Sequence, residues 1–323
     1  IDPWDGKDKS GGLALLPPEK MDTFDDVWKQ YAALLDYYVE RTARAHRYSY
    51  DFMNGRMKFL FTSLLIRDCI ARGKAVLDGG AGYLGGTLET YGNINAADSL
   101  TAVKYWVFDK KKYTLRQIVD AAGKNFEGEE LLRRDLLAAP KYGNDDPYAD
   151  DIAVLLHEYI CRKVSDQAKP NGFHSYNVVV INNQVNTEWG RMTSASADGR
   201  LNAMYMNNGN NPQGGADKNG PTAMLNSLVK LRTDIHAGSV QNMKFSRSMF
   251  AQKRDLVNAL LKTYFRKGGG QIMISVVSRG ELEDAYQNPE KYPNLLVRVG
   301  GFSARFVNLE KDVQREVISR TLN

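Results

Sequence analysis

Near its end the chain reads Leu295-Leu296-Val297-Arg298-Val299-Gly300-Gly301-Phe302. The aliphatic residues of this run favour an extended strand, and the two glycines after them predict a tight turn. A pair of glycines ahead of a helix is commonly no more than a turn. The residues that follow, up to Thr321, therefore decide how the run is interpreted.

The run belongs to a longer pattern that extends to Thr321. The positions that fit the pattern are Arg298, Val299, Gly301, Phe302, Phe306, Leu309, Gln314, Ile318, Arg320 and Thr321. Together they resemble the signature of the glycyl radical enzymes. Gly300 departs from that signature, since the family usually has serine or alanine there. The spacing makes Gly301, and not Gly300, the predicted radical position, and the predicted supports of the glycine loop are Arg298, Val299, Gly300, Phe302 and Phe306.

The chemistry of such a site requires glycine for a physical reason. A radical on a backbone α-carbon is stabilised by the amide nitrogen on one side and the carbonyl group on the other. The carbon must flatten to share its spin with both groups, and a Cβ would crowd that planar form. Glycine also reaches backbone angles that other residues rarely adopt.

Further blocks extend the resemblance over residues 22–323. Residues 208–223 are similar to a family segment that ends in Gly-Pro-Thr-Ala, and residues 197–200 resemble its Pro-Asp-Gly-Arg with alanine for proline. Residues 79–83 resemble Gly-Gly-Ala-Arg-Tyr with glycine for arginine, and residues 141–146 match Lys-Tyr-Gly-Asn-Asp-Asp. Several blocks in the right order are more specific than any one of them.

The resemblance implies an α/β fold, namely half of a ten-stranded α/β barrel of the glycyl radical enzyme type, followed by a C-terminal glycine-loop domain. The alternation of short strands with helices of ten or more residues independently favours α/β with crossover connections. We expect a flexible lead-in over residues 1–20, the half-barrel over residues 21–245 and the glycine radical domain over residues 246–323.

The resemblance also implies that two residues share the chemistry. A radical stored on the glycine makes a thiyl radical on a cysteine, which takes hydrogen from a small-molecule substrate. No cofactor is bound, because a separate radical-SAM activating enzyme installs the radical. Cys69 and Cys161 lie on amphipathic helices and are interpreted as structural. The cysteine is therefore expected from an N-terminal half or a second subunit, without which this chain is expected to be inactive.

Three functions are compatible with these residues. The first is a glycyl radical lyase or dehydratase, which residues 220–223 favour. The second is a formate C-acetyltransferase reaction like that of pyruvate formate-lyase, which would need two adjacent cysteines in the other half. The third is a non-catalytic spare part that donates a fresh radical, although a half-barrel exceeds what such a protein carries.

A substrate pocket is predicted beside the Gly-Gly-Ala block. Tyr83, Glu89 and Tyr91 follow that block, and a carboxylate there could serve acid–base chemistry. His174 lies at the entry of a predicted strand and is a further candidate. The histidines are dispersed without the spacing of a metal site, so no metal is expected.

Composition limits the partners and the cellular location that we expect for this chain. The net charge is +5 over 323 residues, with the basic residues scattered, so we expect no nucleic-acid partner. With two cysteines, the chain is not expected to be a disulfide scaffold. It contains no run of 18 apolar residues, so no membrane span is predicted. Residues 1–20 lack the pattern of a signal peptide. Composition therefore favours the cytoplasm, and the resemblance implies an anaerobic, oxygen-sensitive split enzyme.

Local patterns predict where some elements begin and end. Thr23 and Asp26 form a capping-box pair at the start of a helix, and Gly73 closes a second helix over Met57–Ala71. Asp98 and Ser99 are expected to open another helix. Residues 183–220, which are rich in asparagine and glycine, are expected to form a functional loop region.

Overall fold

The structure is a computed structural model that describes residues 5–320, so the first four residues of the predicted lead-in and Thr321 lie outside it. Its α-helices are α1 Phe24–Arg56, α2 Leu60–Leu64, α3 Arg67–Arg72, α4 Asn93–Val103, α5 Leu115–Gly123, α6 Glu130–Ala138, α7 Pro147–Ser165, α8 Val185–Arg191, α9 Gly220–Lys230, α10 Arg247–Gln252, α11 Arg254–Arg266, α12 Arg279–Gln287 and α13 Lys311–Ser319. Its strands are β1 Gly85–Glu89, β2 Ser175–Val180, β3 Gly238–Ser239, β4 Asn242–Phe245, β5 Met273–Val276, β6 Leu296–Arg298 and β7 Ser303–Arg305.

The strands β1 to β5 run parallel to one another. β2 pairs with β1 on one side and with β3 on the other. The β3 chain continues through Gln241 into β4, which pairs with β5. Hydrogen bonds from Val240 to Val180 and from Met273 to Gln241 join the two parts into one staggered layer. Parallel strands linked by helical crossovers are the architecture of an α/β barrel wall.

One face of β2 packs against the helices. Tyr176, Val178 and Val180 are buried, whereas Asn177 and Val179 between them are only half-buried. The buried residues join a core with apolar side chains of α4, α7 and α9, among them Leu156 and Leu228. The helices therefore cover one face of the layer, and the opposite face is the less enclosed one.

The start of α1 is as predicted, and its continuation is not. Thr23 and Asp26 make both hydrogen bonds of the capping box, and α1 then runs to Arg56. The expected helix over Met57–Ala71 is wrong, because Phe59 has a φ of 46° and separates α1 from two short helices. Gly73 does end α3, with a φ of 60° that suits glycine.

The expected start of a helix at Asp98 is also wrong. Gly92 has a φ of 70° and α4 begins directly after it, so Asp98 lies inside the helix with 1% of its surface exposed. Its Oδ1 accepts the Tyr142 N–H at 2.9 Å, and its Oδ2 has no partner within the described chain. Burial raises the pKa of Asp98 to about 7.

This burial predicts a pH-dependent stability. The folded pKa of Asp98 is about 7 against 3.8 for an ordinary aspartate, so the free energy of unfolding should fall as pH rises from about 4 through 7. Asp98→Asn retains an acceptor for Tyr142 and should raise the melting temperature by several degrees at pH 8 while changing it little at pH 4. Melting curves at both pH values check this. The exposed Asp255→Asn is the control, and equal profiles for the two variants would contradict the prediction.

Two other parts of the chain contain structure that was not expected. The region 183–220 contains the helix α8 and ends at Gly220, the first residue of α9, and its other residues form the irregular segment that was expected. Residues 247–266 form two helices, α10 and α11, which are divided at Lys253. Strand β1 has no counterpart among the sequence-based expectations, because Gly85 and Gly86 give it little strand propensity.

Candidate active site

The glycine pair forms the tip of a hairpin. Strands β6 and β7 are antiparallel, with Arg298 opposite Ser303, and the Val299 N–H donates to the Phe302 carbonyl at 3.0 Å. Gly300 and Gly301 are the two residues of the turn. Gly301 has a φ of 90°, a region that glycine occupies without steric cost, and it is exposed.

The tip of the hairpin contacts the segment that follows β2. A Cβ on Gly300 would lie 2.4 Å from the Asn183 carbonyl oxygen, and one on Gly301 would lie 3.1 Å from Asn183 Oδ1. The Gly301 N–H also points to the sulfur of Met273, at 3.2 Å from its nitrogen. Gly301 therefore lies where β2 ends and β5 begins, with the Asn183 carboxamide beside its α-carbon.

The C-terminal helix secures the backbone of the hairpin. The Arg320 guanidinium donates to the carbonyl oxygens of Arg298 at 2.7 Å and Val299 at 2.6 Å, and it pairs with Glu316 at 2.7 Å. The Gln314 carboxamide donates to the carbonyl oxygens of Phe306 and Leu309 at 2.9 and 3.0 Å. The arginine and glutamine of the sequence pattern therefore bind main-chain oxygens around the glycine turn.

The predicted supports of the glycine loop contribute in different ways. Val299 and Phe306 are fully buried in the small core beneath the hairpin. Arg298 acts through its backbone, because its N–H donates to Ser275 Oγ at 3.0 Å and its carbonyl binds Arg320. Phe302 is 39% exposed at the end of the turn.

A network of asparagines orders the strand ends below the hairpin. The Asn208 carboxamide donates to the Asn183 carbonyl at 3.0 Å and accepts from Asn242 at 2.9 Å. Asn182 donates to the Thr90 carbonyl and accepts from the Gly209 N–H, both at 2.8 Å. The sequence analysis did not identify these residues individually, although the density of asparagine in this region was the available signal.

Two further contacts attach α13 to the barrel wall. Arg191 of α8 pairs with Glu310 at 2.5 Å and with Asp312 at 2.6 Å. Lys244 of β4 is 2% exposed and donates to the Ile318 carbonyl at 3.0 Å. Burial lowers the pKa of Lys244 to about 8.

The predicted pocket residues divide between two ends of the sheet. Glu89 ends β1 and accepts the Asn182 N–H at 2.8 Å, next to the residue that touches the glycine turn. The ring of Tyr91 packs against Trp189. Burial raises the pKa of Tyr91, and a hydrogen bond with the Glu89 carboxylate raises it further.

The other two pocket candidates lie at the beginning of the same strands. Tyr83 and His174 form an exposed ring pair with centroids 4.6 Å apart, and the His174 N–H donates to the Leu84 carbonyl. A strand of five residues separates this end from the other by roughly 17 Å. The structure therefore groups Glu89 and Tyr91 with Gly301, and it does not bring Tyr83 and His174 to them.

The cysteines are buried and lie in helices. Cys69 is 3% exposed in α3, and its sulfur lies next to Gly80, ahead of β1. Cys161 is 2% exposed in α7, with its sulfur 3.8 Å from His157 Nε2, and burial raises its thiol pKa to about 12. Neither arrangement is that of a reactive thiolate.

Two kinds of feature are absent from residues 5–320. No group of three or more histidine, cysteine, aspartate and glutamate side chains in this part of the chain is arranged to hold a metal ion. None of its helices has both the length and the apolar character that crossing a membrane requires.

The close contact at Gly300 yields a prediction. Gly300→Ala would place a methyl group 2.4 Å from the Asn183 backbone oxygen. A real Cβ atom does not come this close to another heavy atom, so the hairpin must move. We expect faster amide hydrogen exchange at Val299 and in β7, and a melting temperature lowered by several degrees. Gly280→Ala in α12 meets no atom within 4 Å and is the control. Unchanged hairpin exchange in Gly300→Ala would contradict the contact.

Comparison with known proteins shows the family of this chain. The family model described as pyruvate formate lyase-like matches residues 1–188, and the model described as glycine radical matches residues 206–307. The chain belongs to the glycyl radical enzyme family, and the predicted fold class is confirmed as part of that family's α/β barrel.

Individual relatives are similar over nearly the whole chain. The trans-4-hydroxy-L-proline dehydratase of Clostridioides difficile is 32% identical over 97% of this chain and 40% of its own length. The (2S)-3-sulfopropanediol dehydratase of Klebsiella oxytoca is 34% identical over 81% of this chain and 33% of its own length. A solved structure of the B12-independent glycerol dehydratase from Clostridium butyricum superposes with a TM-score of 0.91 at 33% identity, covering 97% of this chain and 40% of that one. This chain thus spans 33–40% of the length of these relatives.

Proposed function

We propose that this chain is the radical-bearing part of a glycyl radical lyase or dehydratase, with the stored radical on Gly301. The observation that carries the proposal is the position of Gly301. It is an exposed glycine with positive φ at a hairpin tip, held against the strand ends of a barrel wall. The proposed setting is an anaerobic cytoplasm, because such a radical is destroyed by oxygen.

In the proposed reaction the radical passes from carbon to sulfur. The Gly301 α-carbon takes a hydrogen atom from a cysteine thiol, so an S–H bond breaks, a C–H bond forms and a thiyl radical remains. The thiyl radical then takes hydrogen from the substrate. Asn183 and Met273 would hold the turn so that the α-carbon faces the thiol at a fixed distance.

The cysteine is proposed to come from outside this chain. Cys69 and Cys161 are buried in α3 and α7, and 60% or more of the length of these relatives has no counterpart here. A cysteine-bearing N-terminal half, in the same polypeptide or in a partner, would therefore complete the barrel. A radical-SAM activating enzyme would first remove hydrogen from Gly301, which requires the hairpin to leave the strand ends.

The reaction class rests on the relatives and on one motif. Two relatives are described as dehydratases of trans-4-hydroxy-L-proline and of (2S)-3-sulfopropanediol, and a solved structure is a glycerol dehydratase. Residues 220–223, Gly-Pro-Thr-Ala, favour the same class. A small hydroxylated substrate is the corresponding proposal, with Glu89 and Tyr91 as candidates for proton transfer near Gly301.

Electron paramagnetic resonance tests the proposal. The chain is incubated without oxygen with a radical-SAM activating enzyme, alone and with a cysteine-bearing N-terminal half, and its spectrum is recorded before air is admitted. We expect a glycyl doublet, and then scission of the chain at Gly301 that mass spectrometry detects. Scission at another residue would reject Gly301 as the radical site. The absence of a doublet with the N-terminal half present would reject the proposed function.

A further inference from the structure

The C-terminal part of the chain has an apolar core of its own. The buried side chains of α12, β6, β7 and α13 form a cluster that includes Leu282, Val299 and Val317. The main core, which lies between the barrel wall and its helices, contains none of them. We call residues 277–320 the glycine unit. Two separate cores allow the glycine unit to detach from the barrel wall without exposing the interior of either part.

One lysine of the barrel wall is buried against the glycine unit. On β4, Met243 and Phe245 belong to the main core, so Lys244 between them points to the opposite side of the strand. Its side chain is buried, and its Nζ donates to the carbonyl oxygens of Ile318 at 3.0 Å and Val317 at 3.4 Å. Both oxygens lie in the last turn of α13. Lys244 therefore lies between the barrel wall and the glycine unit.

Burial in this place is unfavourable for a charged group. An ammonium group carries three protons and is strongly hydrated in water. In the folded chain the hydrogen bonds of Lys244 go to uncharged carbonyl groups, and Glu316, an acid that acts on it, is already paired with Arg320 at 2.7 Å. The charge of Lys244 therefore destabilises the attached state relative to one in which the side chain returns to water.

The charges that face Lys244 come from three segments. Burial, followed by Arg320 of α13 and Arg279 of α12, lowers the pKa of Lys244 from 10.5 to about 8. Glu316 of α13 and Asp217, which lies ahead of α9, act in the opposite direction. A lysine that returns to water regains the higher pKa, so between about pH 8 and pH 10 the detached state keeps the proton that the attached state loses. Raising the pH over this range therefore favours the attached state.

We infer that Lys244 is a positioning residue whose buried charge makes the glycine unit easier to detach from the barrel wall. The inference rests on the proposed function, because the proposed activation requires Gly301 to leave the strand ends. Lys244 acts on the hairpin through α13. The helix turn that it binds is followed by Arg320, which donates to the carbonyl oxygens of Arg298 and Val299. An uncharged side chain in place of Lys244 would keep the unit attached for more of the time.

Two amide hydrogens report on detachment. The Arg298 N–H donates to Ser275 Oγ and the Gly301 N–H to the sulfur of Met273, and both acceptors lie on β5. Quench-flow hydrogen exchange of peptides that contain these amides, divided by the intrinsic rate at each pH, measures how often the unit detaches. In the unmodified chain this frequency should fall about three- to tenfold between pH 7 and pH 9, because the attached state alone loses the Lys244 proton there.

Two lysine variants form a matched pair. Lys244→Met keeps an unbranched side chain without the charge, so detachment at pH 7 should become about threefold or more rarer and should lose this pH dependence. Lys311 is exposed on the same helix and donates to the Tyr286 carbonyl within the glycine unit. Lys311→Met should therefore exchange like the unmodified chain at both pH values. Far-ultraviolet circular dichroism checks that each variant is folded.

Three results would overturn the inference. They are faster exchange in Lys244→Met, a pH profile that Lys244→Met shares with the unmodified chain, or an equal change in Lys311→Met. Faster exchange would show that the hydrogen bonds of Lys244 hold the unit in place.

The glycyl doublet separates this inference from the proposed function. It is recorded for the same variants with the activating enzyme and the N-terminal half, and it should accumulate more slowly in Lys244→Met. A doublet together with unchanged exchange in Lys244→Met would reject only the role of Lys244. The expected exchange without a doublet in any sample would reject only the radical function.

Discussion

A chain carrying Gly301→Ala is expected to give no glycyl doublet and no scission in air, under conditions where the unmodified chain gives both. The added Cβ would crowd the planar radical, and it would lie 3.1 Å from Asn183 Oδ1, in the space beside the α-carbon. It would also force a non-glycine residue to a φ of 90°. That backbone strain costs about 1–2 kcal/mol, so the variant should still fold.

A matched control separates the loss of chemistry from the strain. Gly215 has a φ of 80°, and a Cβ placed there meets no atom within 4 Å. Gly215→Ala therefore introduces a similar backbone strain away from the hairpin, and its doublet should equal that of the unmodified chain. Melting curves should show comparable losses for the two variants. A doublet of normal amplitude in Gly301→Ala would place the radical elsewhere.

The second large effect is expected for Arg320→Met. The side chains of Arg320 and Glu316 are 12% and 7% exposed, so the substitution leaves a largely buried carboxylate without its partner. Breaking a buried ion pair in this way costs about 3–5 kcal/mol. The carbonyl groups of Arg298 and Val299 also lose their donor. The glycine hairpin should therefore separate from α13 far more often.

Hydrogen exchange measured by mass spectrometry would detect this separation. Peptides over residues 296–305 should exchange faster in Arg320→Met, whereas the core strand β2 should change little. Arg315→Met on the same helix removes the more exposed pair with Asp312, whose side chains are 61% and 36% exposed. Exposed pairs contribute about 0–1 kcal/mol, so this control should behave like the unmodified chain. Equal exchange in the two variants would show that Arg320 does not hold the hairpin.

These two predictions concern opposite requirements of one segment. The radical glycine must be held firmly beside the strand ends, yet the proposed activation requires it to leave them. The hairpin shares a buried apolar core with α12 and α13, and Arg320 binds its carbonyl groups. Its hydrogen bonds to the barrel wall run from the Arg298 N–H to Ser275 and from the Gly301 N–H to Met273, and Arg191 pairs with the start of α13. Polar attachments of this kind can be exchanged for water one at a time, unlike a large apolar interface.

Recognition of the site came from local sequence. The signature around Arg298 and Gly301 depends on spacing along the chain, and so do the capping pair at Thr23 and the helix stop at Gly73. The capping pair and the helix stop each involve residues within about one turn of each other, whereas the signature extends from Arg298 to Thr321. The structure retains the capping pair and the helix stop, because local hydrogen bonds and backbone angles need no distant partner.

The errors concern where elements begin and end. The helix expected over Met57–Ala71 is interrupted at Phe59, which has a φ of 46°, and α4 begins after Gly92 and not at Asp98. Strand β1 contains two glycines, and it becomes a strand only because β2 pairs with it. Propensity is a weak guide where a distant partner supplies the hydrogen bonds.

The sequence by itself therefore determined the family, the fold class and Gly301 as the proposed radical position. Only the tertiary structure decided that Glu89 and Tyr91 lie near the glycine turn, while Tyr83 and His174 lie at the opposite end of the same strands. It also decided that asparagines distant in sequence, such as Asn183 and Asn208, meet below the hairpin. Spacing along a chain encodes turns and caps. Strand pairing decides at which end of a sheet a side chain lies, and it joins residues about ninety positions apart, such as Gly85 and Ser175.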